Sequence, residues 1–276
     1  MNLFQKIGQK ISRDVRRAIK HSKQHWATGP HRPRALFICG SQRSGTNMLQ
    51  GVLNSSARTR VYNEDHPKAF KKYRLKELGE ISNLVNRAPC PWVVFKCIMD
   101  SQHTRQLLNQ FPESKCIWIF RDYRDVAESA ERKWMDAQRH IIRNIAERDH
   151  TWDRWYTETL SDERRELVRR LYYPEMTELT AGAIKWYLRN QLFFDLKLQD
   201  CADRVLLVNY NRLVTNPNQE FDRVGRFLKL SIPQSAYGHV HDRSLQKPLA
   251  SKLDPRVTDL CDQLMRDFMR ILEPSN

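Results

Sequence analysis

Apolar residues along this chain gather in short continuous runs, separated by stretches with helical spacing. Runs at 34–39, 59–63, 92–97, 116–120 and 204–210 read as strands. In Trp92-Val93-Val94-Phe95 and Cys116-Ile117-Trp118-Ile119-Phe120 no polar residue alternates with the apolar ones, which predicts strands buried on both faces. Between the runs, apolar positions three and four apart predict helices at 46–55, 69–86, 102–110, 122–135, 177–200 and 218–229. Strands alternating with helices in this way predict an α/β fold, a central parallel sheet flanked by helices.

Two segments break that rhythm. Residues 136–175 are dense in charge and aromatics and read as an insertion near the mouth of a site, either a lid or a solvated helical hairpin. At the other end, Leu3, Phe4, Ile7, Ile11, Val15 and Ile19 recur at helical spacing over residues 2–25, with basic residues on the remaining faces. That pattern fits a helix lying on an anionic membrane surface, a helix packed on the domain or on a partner, or a transit peptide. The turn-rich Thr28-Gly29-Pro30-His31-Arg32-Pro33 closes it. The expected organisation is therefore a basic helix and linker over 1–33 and one main domain over 34–276.

Composition sharpens this picture. With 276 residues and 40% hydrophobic content the chain can build one full core. No apolar run approaches a membrane span, and charges interrupt the N-terminal apolar residues, so neither a spanning helix nor a secretory leader is expected. Cys39, Cys90, Cys97, Cys116, Cys201 and Cys261 are scattered without a C-x-x-C pair, and the expectation is reduced thiols in a cytoplasmic setting. The net charge of +15 favours anionic partners, but residues 1–34 carry nine cations against Asp14 alone. About half of the excess thus lies in the N-terminal arm, and nucleic acid is not an expected partner of the main domain.

The chemistry concentrates at two strand ends. Arg34-Ala35-Leu36-Phe37-Ile38-Cys39-Gly40 is an apolar run ending at a glycine; Ser41-Gln42-Arg43-Ser44-Gly45 follows and a helical pattern begins at Thr46. This is the strand, phosphate-cradling loop and helix N-terminus of a P-loop-like domain. A nucleoside-triphosphate P-loop needs Gly-Lys-Ser/Thr, and here Thr46 and Asn47 stand at the lysine and hydroxyl positions. The second end is Phe120-Arg121-Asp122-Tyr123-Arg124-Asp125-Val126-Ala127-Glu128-Ser129, where Arg121 leaves a buried strand and Ser129 follows on the next helix. Arg121 is placed to meet a second phosphate with Ser129 as an added donor. Arg124 and Asp125 read equally well as a surface pair.

Together these stretches resemble the sulfotransferases that use 3′-phosphoadenosine 5′-phosphosulfate (PAPS). Arg43-Ser44-Gly45-Thr46-Asn47 is similar to that family's R/K-S-G-T-T, and Arg121 to Ser129 to its R-x-P-R-D-V-x-x-S. Val205-Leu206-Leu207-Val208-Asn209-Tyr210-Asn211-Arg212-Leu213 resembles its strand ending in Y-E-D-L. The resemblance implies that Arg43, Ser44, Gly45, Thr46 and Asn47 hold the 5′-phosphosulfate and that Arg121 and Ser129 hold the 3′-phosphate. It further implies that Tyr210 lies near the adenine and that Arg243, Ser244 and Lys247 form a late basic loop over the 3′-phosphate. PAPS is then the co-substrate, no metal is expected, and the partner is a hydroxyl-bearing carbohydrate, lipid or small metabolite. In the lid reading, residues 136–175 would cover that acceptor.

One departure bears on mechanism. Small-molecule members carry K-T-H after the third strand, with its histidine as base, and here the stretch is Lys96-Cys97-Ile98. Members acting on tyrosyl proteins and some carbohydrates use a glutamate after the second strand, which points to Glu64 in Asn63-Glu64-Asp65-His66. Asp65, His66 and His103 are the reserves. Arg43 and Lys96 would stabilise charge on the leaving oxygen. The competing readings of Glu64 are a surface carboxylate or one paired with Lys96 or Arg43. Two rivals stand beside the transferase as a whole: a P-loop small-molecule kinase, and a non-catalytic membrane-associated binding protein on the same fold.

Overall fold

The computed structural model describes residues 32–147, 154–240 and 253–273. The expected N-terminal helix and the late basic loop with Arg243, Ser244 and Lys247 lie outside the described residues.

Five strands form one parallel sheet: β1 (Arg34–Gly40), β2 (Thr59–Tyr62), β5 (Trp92–Lys96), β6 (Lys115–Phe120) and β7 (Val205–Asn209). Their spatial order is β2-β5-β1-β6-β7, with β1 in the middle. Register pairs Phe37 with Phe95 on one side and with Cys116 on the other. The chain builds outward from β1 to one edge and then crosses to the other, so the carboxyl ends of β1, β5 and β6 converge where such sheets bind ligands.

The two-residue period of the strands divides the core into two layers. Ala35, Phe37, Cys39, Val93, Phe95, Cys116, Trp118 and Phe120 face one apolar cluster, and Leu36, Ile38, Trp92, Val94, Ile117 and Ile119 face the other. The second layer is closed by α1 (Thr46–Asn54) and, after β7, by α9 (Tyr210–Thr215) and α10 (Pro217–Leu228). The first is closed by α2 (Leu78–Asn86), α3 (Thr104–Gln110), α4 (Tyr123–Trp134), α5 (Ala137–Glu147), α8 (Glu178–Asp195) and α11 (Pro255–Leu272). Both faces are covered, as the unbroken apolar strands require. Among the described residues no helix is long and apolar enough to cross a membrane.

Several local expectations are corrected. The stretch expected as one helix over 69–86 is a small hairpin, β3 (Phe70–Lys71) and β4 (Arg74–Leu75), followed by α2. Its turn places Lys72 and Tyr73 in the left-handed region, at φ 49° and 64°, without a glycine to announce it. The helix expected over 177–200 ends at Asp195 and gives way to a short 3₁₀ turn, Leu198–Cys201. Tyr210 opens α9 rather than closing β7, because the Asn209 side chain accepts from the Asn211 and Arg212 amides and caps the helix. The helix α11 was not among the expected elements.

Within 136–175, α5 buries Ile142 and Ile145 and α7 (Asp162–Leu171) buries Val168 in the main core. These helices are part of the domain, not a solvated hairpin. Between them the one-turn α6 (Arg154–Thr157) lies next to the site. The cysteines are free, and all but Cys201 are buried.

Candidate active site

Two glycines shape the phosphate-type loop. At Gly40 φ is 130°, and a Cβ there would sit 2.2 Å from the Ile119 carbonyl oxygen. At Gly45 φ is 87°, and a Cβ would fall 2.0 Å from the Tyr210 ring. The loop backbone can therefore lie against β6 and against Tyr210 only without side chains at these points. The Gly45 carbonyl accepts the Met48 and Leu49 amides at 3.0 and 3.1 Å, starting α1. The first turn contains no acidic side chain, and Gly45 supplies no side-chain cap. Its leading N–H groups and the positive end of the helix dipole thus face the loop unneutralised. Beside them the Ser44 hydroxyl is fully buried and lacks a hydrogen-bond partner among the described residues. Thr46 is buried and Asn47 exposed. A buried orphan hydroxyl, a side-chain-free cradle and free amides suit a phosphate or sulfate oxygen.

Cations surround the loop. Arg43 Nε donates to Ser129 Oγ at 3.0 Å, so Arg43 spans from the loop to α4. Burial, with the nearby positive charges of Arg121 and Arg132, lowers the Arg43 pKa. Like charges crowd together at this end of the sheet. Arg121 is buried at the end of β6, lies 4.6 Å from the Tyr210 ring centroid and pairs with Asp125 at 3.1 Å. The expected Arg124–Asp125 pairing is thus corrected: Asp125 takes Arg121, while Arg124 reaches Asp262 on α11 at 3.0 Å. Tyr123, where the family has proline, occupies the first position of α4 behind the Asp122 cap, a position that suits either residue.

Glu64 lies two residues past the end of β2, and its Oε2 is 2.5 Å from Lys96 Nζ at the end of β5. Burial pushes the Glu64 carboxyl up; Lys96 and the Ile98 amide pull it back down, and Asp100 adds a smaller upward push. Lys96 also donates to Asn63 Oδ1 at 3.4 Å. The residues held in reserve are engaged elsewhere. Asp65 accepts from Asn63 at 2.9 Å on the surface, His66 lies edge-on to Tyr62, and His103 meets Arg74 at 3.3 Å and Glu158 at 3.5 Å.

Sequence reasoning missed the side chains that brace the site around the 3₁₀ turn Ile98–His103. Asp100 accepts from Arg74 Nε at 2.5 Å and from the Leu75 amide at 2.8 Å, tying the hairpin to the site. Glu158 pairs with Arg74 at 2.9 Å and accepts from Gln102 at 3.2 Å. On α8, Lys185 donates to Gln42 of the loop at 3.2 Å, and Tyr156 donates to the same oxygen at 2.9 Å. Arg189, one turn further on, donates to the Ile98 carbonyl at 2.8 Å. The available signal was the presence of Lys185, Arg189 and Asn190 in the middle of an otherwise apolar helix.

A family model described as a sulfotransferase domain matches residues 33–254, and the chain belongs to the sulfotransferase family. No curated protein matches the sequence. Among solved structures, the sulfotransferase domain from the curacin biosynthetic pathway is 15% identical, with 87% of this chain and 99% of that one covered at a TM-score of 0.50. A sulfotransferase from Alicyclobacillus acidocaldarius is 17% identical over 90% of this chain and 96% of its own, with a TM-score of 0.47. A mouse sulfotransferase complexed with PAP is 14% identical over 86% and 85%, with a TM-score of 0.45.

Proposed function

We propose that the protein transfers a sulfuryl group from PAPS to a hydroxyl of a carbohydrate, lipid or small metabolite, with Glu64 as the base. The acceptor oxygen forms a bond to sulfur, the bond from sulfur to the 5′-phosphate oxygen breaks, and the acceptor proton passes to Glu64. The products are a sulfate ester and 3′-phosphoadenosine 5′-phosphate (PAP).

The observation that carries this reading is the Glu64–Lys96 pair beside the loop, at the carboxyl ends of adjacent strands. A carboxylate there is held ionised by Lys96 yet made more basic by burial, the balance that general-base catalysis at neutral pH calls for. Pairing with Lys96 and acting as a base are therefore compatible. The orphan Ser44 hydroxyl, Gly45, Thr46, Asn47 and the amides opening α1 are assigned to the phosphosulfate, and Arg43 and Lys96 to the charge growing on the leaving oxygen. Arg121, Ser129 and Tyr210 are assigned to the nucleotide end. Positioning and electrostatics supply the catalysis, as in phosphoryl transfer.

The test is transfer of labelled sulfate from PAPS to a broad panel of hydroxyl acceptors. Glu64→Gln is expected to keep PAP affinity and lose at least about a hundredfold in turnover, the range for a removed general base. Near-normal turnover of Glu64→Gln would move the base to another group, and a wild type that transfers nothing from PAPS would defeat the reading.

A further inference from the structure

We propose that Arg189 binds an acidic group on the acceptor, a carboxylate, sulfate or phosphate, so that the enzyme selects hydroxyl compounds that are themselves anions. This rests on the sulfuryl-transfer reading and names the substrate class for it.

Arg189 lies in the middle of α8 and is only 4% exposed. Its neighbours' charges are already matched. Glu64 pairs with Lys96 at 2.5 Å, Asp100 with Arg74 at 2.5 Å, and Glu158 with Arg74 at 2.9 Å. Arg189 has no ion pair among the described residues. Its guanidinium donates to two neutral oxygens, Gln102 Oε1 at 3.1 Å and the Ile98 carbonyl at 2.8 Å, and its buried Nε–H has no partner among the described residues. Trp155 of α6 stands over the guanidinium at 5.0 Å. Burial depresses the Arg189 pKa to about 10, a loss that the charge of Asp100 only partly offsets, as for a cation taken out of water without a directly paired anion. A buried cation with an unused donor is completed by an anion.

The surroundings can admit one. A cavity of about 180 Å³ lies between α8 and the stretch after α6, with Tyr156, Leu160, Ser161, Leu188, Arg189 and Leu192 among its lining. Arg164 and Asp195, also on its wall, pair with each other at 3.0 Å, and Glu163 at its edge is exposed. Arg189 links the cavity wall to the proposed base: it holds the carbonyl of Ile98, whose amide donates to Glu64.

The test is binding of D-glucuronate, glucose 6-sulfate, glucose 6-phosphate and neutral D-glucose to the full chain, measured by NMR with and without PAP. The wild type is expected to bind at least one acidic probe about tenfold or more tighter than glucose, and the three acidic arms identify the group preferred. Arg189→Gln should erase that preference while retaining PAP affinity, and Arg189→Lys should restore part of it. A wild type that binds all four probes alike overturns the proposal, and this arm needs no variant to fold. So does an Arg189→Gln protein with wild-type PAP affinity that still prefers the acidic probes, since Arg189 would then only brace the 3₁₀ turn. Loss of PAP binding by the wild type with the acid preference intact would instead count against the sulfuryl-transfer reading.

Discussion

Burial of Glu64 opposes its ionisation, while Lys96, 2.5 Å away, favours it. Burial is the larger influence, so the carboxyl titrates above the ordinary glutamate range. A general base works deprotonated. The expected kcat/KM profile therefore falls as pH drops through a value above that of a free glutamate, and Lys96→Met, which removes the opposing cation, should move this acidic limb further up. An acidic limb at or below the free-glutamate value would contradict this account of Glu64. Arg121 is proposed to act through charge at the other end of the site. Arg121→Ala should weaken PAP binding more than about tenfold, since a charge-assisted contact is worth about 1.5–3 kcal/mol, and calorimetry with unchanged affinity would remove Arg121 from the site. Residues of this kind were legible because they sit in contiguous motifs at strand ends. Arg189, Glu158 and Gln42 were not, because their partners lie far away in sequence and only the fold brings them together.

Each element in the site has a local cause that can be broken singly. Gly45→Ala forces a Cβ into the Tyr210 ring and onto an unfavourable backbone, so it should abolish PAP binding in a protein that remains folded by circular dichroism. Full PAP affinity in Gly45→Ala would show that Tyr210 moves aside freely. In the other core layer from α1, α11 docks through Phe268, stacked on Phe120 at 4.3 Å and close to Phe193 and Phe194. Phe268→Ala is expected to cost about 3–5 kcal/mol in denaturant unfolding, and a loss under about 1 kcal/mol would mean that α11 is peripheral to the core. The sequence does hold signals for α11: Asp254 and Pro255 at its start, then Val257, Cys261, Leu264 and Phe268 at helical spacing. The hairpin Phe70–Leu75 was hidden for a different reason. Its apolar residues continue the helical spacing of α2, and its left-handed turn residues are lysine and tyrosine.

For the whole molecule, the parallel sheet was readable because strands buried on both faces leave unbroken apolar runs, and the order of motifs followed from where such strands end. The part played by 136–175 was not, since a charged, aromatic stretch reads alike whether it packs or is solvated. Arg43, Arg121, Lys96 and the amides of α1 converge on one end of the sheet. That convergence is the central claim, and nucleotide binding by isothermal titration in metal-free buffer tests it most directly. The account predicts that PAP binds without metal and that adenosine 5′-phosphate, which lacks the 3′-phosphate, binds at least about tenfold more weakly. Equal affinity for the two nucleotides, or binding of ATP with magnesium but not of PAP, would contradict it.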